Sequence, residues 1–368
     1  FVEADLSRRY TLVAKKGAID ASVMKLSSAG LVSFMDGAMT GEVKWRFPVE
    51  GKGDFSDRAD ILYSQGGSLI TVGDSAYATA DVDSITMVRT ITVDFKDNKA
   101  TVNLNNAPGV TYTAEGGHVV INNTNATEEM EFVLSGTSND ASLTYNGVYK
   151  CKFHLNNLNL TSTKGAALDI QCGKRIDVFL MDGTTNSLTD CAGGLQKAAF
   201  YCKGHMEVAG GGSLTVAGHT RHAIGTNEYL ILKKSTGNIT ITNAVNDAIH
   251  AGQYFWMDGG NLNISGMGGD GIQAEITNDP TEELNGLLFI NGGSITMKVT
   301  GNDAKGIKCD GDLTITGGDI NIDVTGAGSK GISAPMNMLI NEDSNPTNIL
   351  INASAIYLLQ LLFWNQSC

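Results

Sequence analysis

Between about residue 115 and residue 335 the chain repeats itself roughly every 24 residues, and such a period restricts it to solenoid or array architectures. The segments Asp247-Ala-Ile-His-Ala251, Asp270-Gly-Ile-Gln-Ala274 and Lys305-Gly-Ile-Lys-Cys309 align with one another. Each precedes a short apolar strand, a turn that is usually Gly-Gly, and an alternating strand such as Gly292-Gly-Ser-Ile-Thr-Met-Lys-Val299. The central apolar residues Leu168, Phe200, Ile224, Ile249, Ile272, Ile307 and Ile332 are separated by 32, 24, 25, 23, 35 and 25 residues. Insertions from Thr185 to Leu195 and from Thr277 to Gly286 account for the two long intervals, and a solenoid tolerates insertions as loops. A propeller blade needs about 40 residues, so this unit fits one coil of a parallel β-helix. By the strand period of two, the residues two places beyond each anchor from Phe200 onward point inward again. They are Cys202, Thr226, Ala251, Ala274, Cys309 and Ala334, a small-residue ladder beside an isoleucine ladder.

Composition agrees with an all-β chain of short strands and tight turns, since 44 glycines stand against 5 prolines. The formal charge of -13 argues against a nucleic-acid partner, because phosphate binding needs clustered Lys and Arg. Six cysteines without any C-x-x-C spacing argue against zinc or a thioredoxin motif, and Cys202 and Cys309 read as core substitutes for alanine.

Three segments follow from where the repeat holds. Residues 1–91, with Trp45, Phe47 and Phe55, lack it and read as an N-terminal β domain or cap; residues 92–335 carry the β-helix; residues 336–368 read as a C-terminal cap or irregular tail. Met338-Leu-Ile-Asn341 begins another turn, but Glu342-Asp-Ser-Asn-Pro-Thr347 replaces the Gly-Gly strand. The apolar run Ala355–Trp364 is shorter than the roughly 20 residues a bilayer requires. A first residue of Phe rather than Met is consistent with a leader absent from this chain.

Charge is concentrated late in the repeat. Residues 243–331 hold twelve Asp or Glu and four Lys, a balance of -8. Glu275 and Asp310 each lie three residues after an anchor, and Asp247 and Asp270 two residues before one, so each pair stacks about 4.8 Å apart on one face. Like charges so close repel, and a bound cation relieves them. Oxygen-only ligands favour Ca²⁺ over Zn²⁺. Asp190 and Asp303, at coil corners, complete the candidate metal ligands, and the alternative is that all six are solvated turn residues. For carbohydrate the candidates are Tyr254 and Trp256, which share one strand face, with Lys305 and Lys308 beside the acids; core packing is an equal reading for the aromatics. No catalytic residue is assigned. His250 reads as a surface residue before a base or a ligand, and no G-x-S-x-G, P-loop or EF-hand loop is present.

The segments Ser135-Gly-Thr137, Leu158-Asn-Leu-Thr-Ser162, Ala166-Ala-Leu-Asp-Ile170, Asp182-Gly-Thr-Thr-Asn-Ser-Leu-Thr-Asp190, Gly211-Gly-Ser-Leu-Thr-Val216 and Asp270-Gly-Ile272 together resemble the bacterial carbohydrate-binding β-helix family related in fold to pectate lyases. The likeness covers about residues 92–335. It implies a right-handed parallel β-helix, bound calcium near Asp190, Asp247, Asp270 and Asp303, and non-catalytic affinity for acidic polysaccharide such as polygalacturonate. It also implies a secreted or cell-surface protein. Ala80-Asp-Val-Asp-Ser-Ile-Thr-Met87 resembles an element near the N-termini of Bacteroidetes-type surface lipoproteins, which would meet the membrane only through a lipid anchor lost with the leader. A pectate-lyase-like lyase or hydrolase and a structural adhesin are the alternative functions.

Overall fold

The computed structural model describes residues 82–277, 279, 281–340 and 347–353, together with strands Arg9–Ala14, Ile61–Tyr63, Leu69–Val72 and Ser75–Ala78. Trp45, Phe47, Phe55 and the run Ala355–Trp364 lie outside the described residues. The chain divides into two compact units, one of residues 1–91, 103–107 and 129–131, the other of residues 92–102, 108–128 and 132–368. In the first unit, Arg9–Ala14 pairs antiparallel with residues 82–88, and the three short strands after it form an antiparallel meander.

The second unit is a parallel β-helix, and no helix occurs among the described residues. Each coil contributes one strand to each of three ladders. The first ladder runs through Gly117–Asn123, Ala141–Gly147, Leu168–Gln171, Ala198–Cys202, His222–Thr226, Ile249–Ala251, Ile272–Ala274, Lys305–Cys309 and Lys330–Ser333, all parallel. Val110–Glu115 closes its near edge in antiparallel pairing. The second ladder begins in Cys151–Thr161 and passes Phe255–Met257 to Met338–Ile340; the third passes Ser213–Gly218 and Ser294–Val299 to Thr347–Ala353.

The expected anchor row is in register: Leu168, Phe200, Ile224, Ile249, Ile272 and Ile307 pair in succession and are buried. So is the small-residue row of Cys202, Thr226, Ala251, Ala274 and Cys309. Ala334, in the last coil, is half-buried. Fully burying each such aliphatic side chain contributes about 1.5–3 kcal/mol, so identical positions stacked coil upon coil make the repeat cohesive. Burial pushes the Cys202 thiol up to about 12 and the Cys309 thiol up to about 11, and neither is in a disulfide, so these thiols are inert core groups.

The Gly-Gly turns have a conformational cause. Gly260, Gly293 and Gly318, the second of each pair, sit at φ +92, +85 and +100, a region that side-chain-bearing residues avoid. One insertion lies elsewhere than expected: Thr185–Thr189 is a third-ladder strand pairing with Ser213–Ala217, so the extra residues of that coil are those from Asp190 to Lys197. The alternation Asn186, Leu188 buried against Thr185, Ser187 and Thr189 more open is a strand pattern that an insertion of polar residues conceals. The second insertion is where the sequence puts it, between Ile272–Ala274 and Leu288–Ile290. Past Ala334 the coiling continues, with Thr347–Ala353 pairing along Gly318–Val324 although no Gly-Gly turn introduces it.

Candidate functional site

The site is built where the acidic residues gather, on the outer face of the first ladder. Two rows run across the coils there. One carries Tyr201, Gly225, His250, Gln273 and Lys308 in direct register. The other, two residues before each anchor, carries His222, Asp247, Asp270 and Lys305.

The second row is stitched by its own carboxylates. Asp247 Oδ1 accepts the N–H of Asp270 at 2.9 Å, and Asp270 Oδ1 accepts the N–H of Lys305 at 2.8 Å, so each carboxylate binds the backbone of the next coil. Asp270 Oδ2 then faces Lys308 Nζ at 3.4 Å. Asp190 does the same at another corner, accepting the N–H groups of His219 and Thr220. The repulsion expected from stacked aspartates is thus relieved by amide donors, lysine and histidine. Charge-assisted bonds of this kind are among the stronger ones available to a carboxylate.

Asp247 has the most crowded setting. Its Oδ2 lies 3.2 Å from Nδ1 of His222 and 3.2 Å from Nδ1 of His250, whose rings stack at 4.4 Å. His250 Nε2 in turn faces Glu275 Oε2 at 3.2 Å, and Gln273 donates to Glu275 Oε1. Solvent reaches only 6% of His250 and none of His222. The expected exposure of His250 is therefore corrected: its ring is sandwiched by His222 and closed over by Glu275 from the following coil. Gly225 stands in register with His250, and a side-chain carbon there would press on Ala198 Cβ at 3.1 Å. Sequence reading passed over His222. The signal was present, since counting back two residues from Ile224 reaches it in the frame that aligned Asp247 and Asp270.

The remaining candidates are more separate. Glu275 and Asp310 occupy matching places on adjacent coils, with Asp310 Oδ2 accepting the Ile276 N–H at 3.4 Å. Asp303 is exposed, and its carbonyl accepts from Lys305 Nζ. Among the described residues, His222, Asp247 and His250 form the one group of His, Cys, Asp or Glu in which three ligand atoms lie within 4.8 Å of one another.

Tyr254 and Trp256 both lie on the outer side, while Phe255 and Met257 fill the core. Tyr254 stacks on Tyr229 at 4.7 Å and Tyr229 on His205 at 4.5 Å; Trp256 packs on Phe289 at 4.5 Å and donates its Nε1–H to Asp258. A sugar stacks on an open ring face, and these rings spend faces on one another.

The buried histidine makes the fold acid-sensitive. Burial pushes His222 below the ordinary histidine value, against the pull of Asp247, and burial likewise lowers His205. The unfolded chain then binds protons that the folded chain refuses, so stability present above about pH 6.5 is lost as pH falls below it, by at most about 1.4 kcal/mol per pH unit per group. Burial alone would raise Asp247, but the two imidazoles 3.2 Å from its Oδ2 and the Asp270 N–H on its Oδ1 outweigh it and hold the carboxyl well below the usual range. That contribution is lost only in stronger acid. Melting temperature should therefore decline from pH 7.5 to 5, and His222→Gln should flatten the decline; an unchanged slope in the variant refutes the assignment.

A parallel β-helix whose outer face bears a charged, histidine-containing strip is the scaffold of a carbohydrate-binding protein, and the comparisons agree. The family described as carbohydrate-binding domain-containing protein matches residues 115–356, and the chain belongs to that family. Among its relatives is a carbohydrate-binding domain-containing protein of Acetivibrio thermocellus, 29% identical over 120 residues, which are 30% of this chain and 41% of that protein. The chain thus matches about two fifths of the curated relative's length. A solved structure described as the polysaccharide lyase-like protein from C. thermocellum, in a gadolinium derivative, aligns at a TM-score of 0.58 and 25% identity over 71% of this chain and 100% of that one.

Proposed function

We propose that the chain binds an acidic polysaccharide of the polygalacturonate type without cleaving it, with calcium bridging protein and uronate carboxylates, at the surface of the cell or outside it. The observation that carries this reading is the strip of alternating charge on the first ladder's outer face, where Lys305 and Lys308 flank Asp270 and the half-buried Asp310 continues the next row. Lys305 and Lys308 are the direct partners for uronate. Exposed Asp303 and half-buried Asp310 are the carboxylates best placed to share an oxygen-loving ion with it, whereas Asp190, Asp247 and Asp270 are occupied by backbone donors.

Binding without cleavage is supported by the state of the candidate bases. Lys308 is paired with Asp270, and His250 is buried between two carboxylates, so neither offers a free base to a sugar carbon.

Retention on a polygalacturonate gel tests the reading. It should need calcium, be abolished by EDTA and be restored by calcium rather than zinc. Lys305→Ala with Lys308→Ala should weaken binding by about tenfold, the worth of roughly 1.4 kcal/mol. Retention that survives EDTA removes the calcium bridge, and no retention with calcium removes the acidic glycan. Unsaturated products or new reducing ends from pectate would favour the lyase or hydrolase alternative.

A further inference from the structure

His222, Asp247 and His250 have the arrangement of a metal centre that differs in kind from an all-oxygen calcium site. We propose that they hold one divalent transition ion of the zinc class, clasping two adjacent coils through His222 Nδ1, His250 Nδ1 and Asp247 Oδ2. The first reason is distance. Ligands about 2.0–2.1 Å from a tetrahedral ion stand about 3.3 Å from one another. Asp247 Oδ2 lies 3.2 Å from each of the two Nδ1 atoms. The donor set, two imidazoles and one carboxylate, suits zinc, cobalt or nickel and is poor for calcium.

The second reason is that the surrounding groups hold the ligands as metal sites hold theirs. A ligating histidine usually gives its other ring N–H to a carboxylate, which fixes the tautomer. His250 Nε2 faces Glu275 Oε2 at 3.2 Å, so Glu275 can hold the ring proton on Nε2 when Nδ1 gives its lone pair to an ion. Asp247 is likewise anchored through Oδ1 by the Asp270 N–H at 2.9 Å, leaving Oδ2 for the ion.

The third reason is an unmet need. His222 is fully buried, yet neither of its ring nitrogens completes a hydrogen bond: Nδ1 approaches Asp247 Oδ2 without the required geometry, and Nε2 has no partner. A buried imidazole so placed costs free energy. A cation between the rings and Oδ2 gives Nδ1 its partner and removes the competition of two rings for one oxygen. Burial holds His222 toward the neutral form that a metal requires. The centre uses no cysteine, so the absence of C-x-x-C spacing does not bear on it.

The test uses the full chain without a histidine tag, freed of metal and titrated with Zn²⁺, with Co²⁺ as a visible probe. One equivalent should bind, raise the melting temperature by several degrees, and resist displacement by millimolar calcium. Glu275→Gln, which alters only the group orienting His250, should weaken uptake by about 10- to 100-fold. His222→Asn should abolish it. Wild-type NMR covers the case in which His222→Asn fails to fold: of the six histidines, only His222 and His250 should respond to the first equivalent. No uptake, uptake unaffected by Glu275→Gln, or a response centred on other histidines would overturn the proposal.

Discussion

Phe153→Ala should lower the unfolding free energy of the β-helix by about 3–5 kcal/mol, at the top of the range for core truncations among the described residues. Phe153, Phe132 and Tyr145 are all fully buried and meet as a trio. Phe132 stacks on Phe153 at 4.8 Å with an interplanar angle of 17°, and Tyr145 meets both edge-on at 4.9 and 5.4 Å. Removing the central ring forfeits two aromatic contacts, each worth about 0.5–1.5 kcal/mol beyond area, and opens a cavity that neighbouring strands cannot close. The position matters as much as the ring. These coils precede the regular isoleucine rows, and aromatic bulk fills their cross-section. Urea unfolding would read the loss as a lowered midpoint at constant slope. A loss under about 1 kcal/mol would mean that this end of the helix unfolds separately from the rest.

What could be read from the sequence follows from what a solenoid repeats. Ile249, Ile272 and Ile307 recur because each occupies the same place in its coil, so one alignment delivers the core row, the small row beside it and the strand order together. The glycine pairs were legible for the same reason, and their second members carry the positive φ that demands glycine. Interactions between unlike positions were not legible. The stacking of His222 on His250 joins a residue two before one anchor to a residue one after the next, and no single row shows it. The aspartate rows are legible in the sequence, and so is their mutual repulsion, but the groups that relieve it are not. In the folded chain the nearest groups are the Asp270 and Lys305 amides, which only the path of the corner reveals. The aromatics failed for a related reason: parity predicts which side a ring takes, not whether the next coil covers its face.

Asp247→Ala should cost about 3–5 kcal/mol in metal-free protein, several times the cost of Asp310→Ala, although both remove one carboxylate from the same face. The difference lies in what each leaves behind. Without Asp247 the buried amide of Asp270 loses its acceptor, His250 loses one of its two partners, and His222 loses the carboxylate 3.2 Å from Nδ1. Each stranded buried polar group costs about 1–3 kcal/mol. Asp310 is half-buried and makes only a long 3.4 Å contact with the Ile276 N–H, so its removal should cost about 0.5 kcal/mol. Asp247→Asn separates the two halves of the loss. Its amide oxygen can still accept the Asp270 N–H, while its NH₂ now faces two Nδ1 atoms. If those nitrogens carry lone pairs, as a metal-ligating tautomer requires, the amide donates to them and the cost falls to about 1–2 kcal/mol; if they carry protons, donor meets donor and the cost approaches that of alanine. Denaturation of the three variants in the presence of a chelator would decide it. Equal losses for Asp247→Ala and Asp310→Ala would show that the Asp247 carboxylate is no more than one surface charge among twelve.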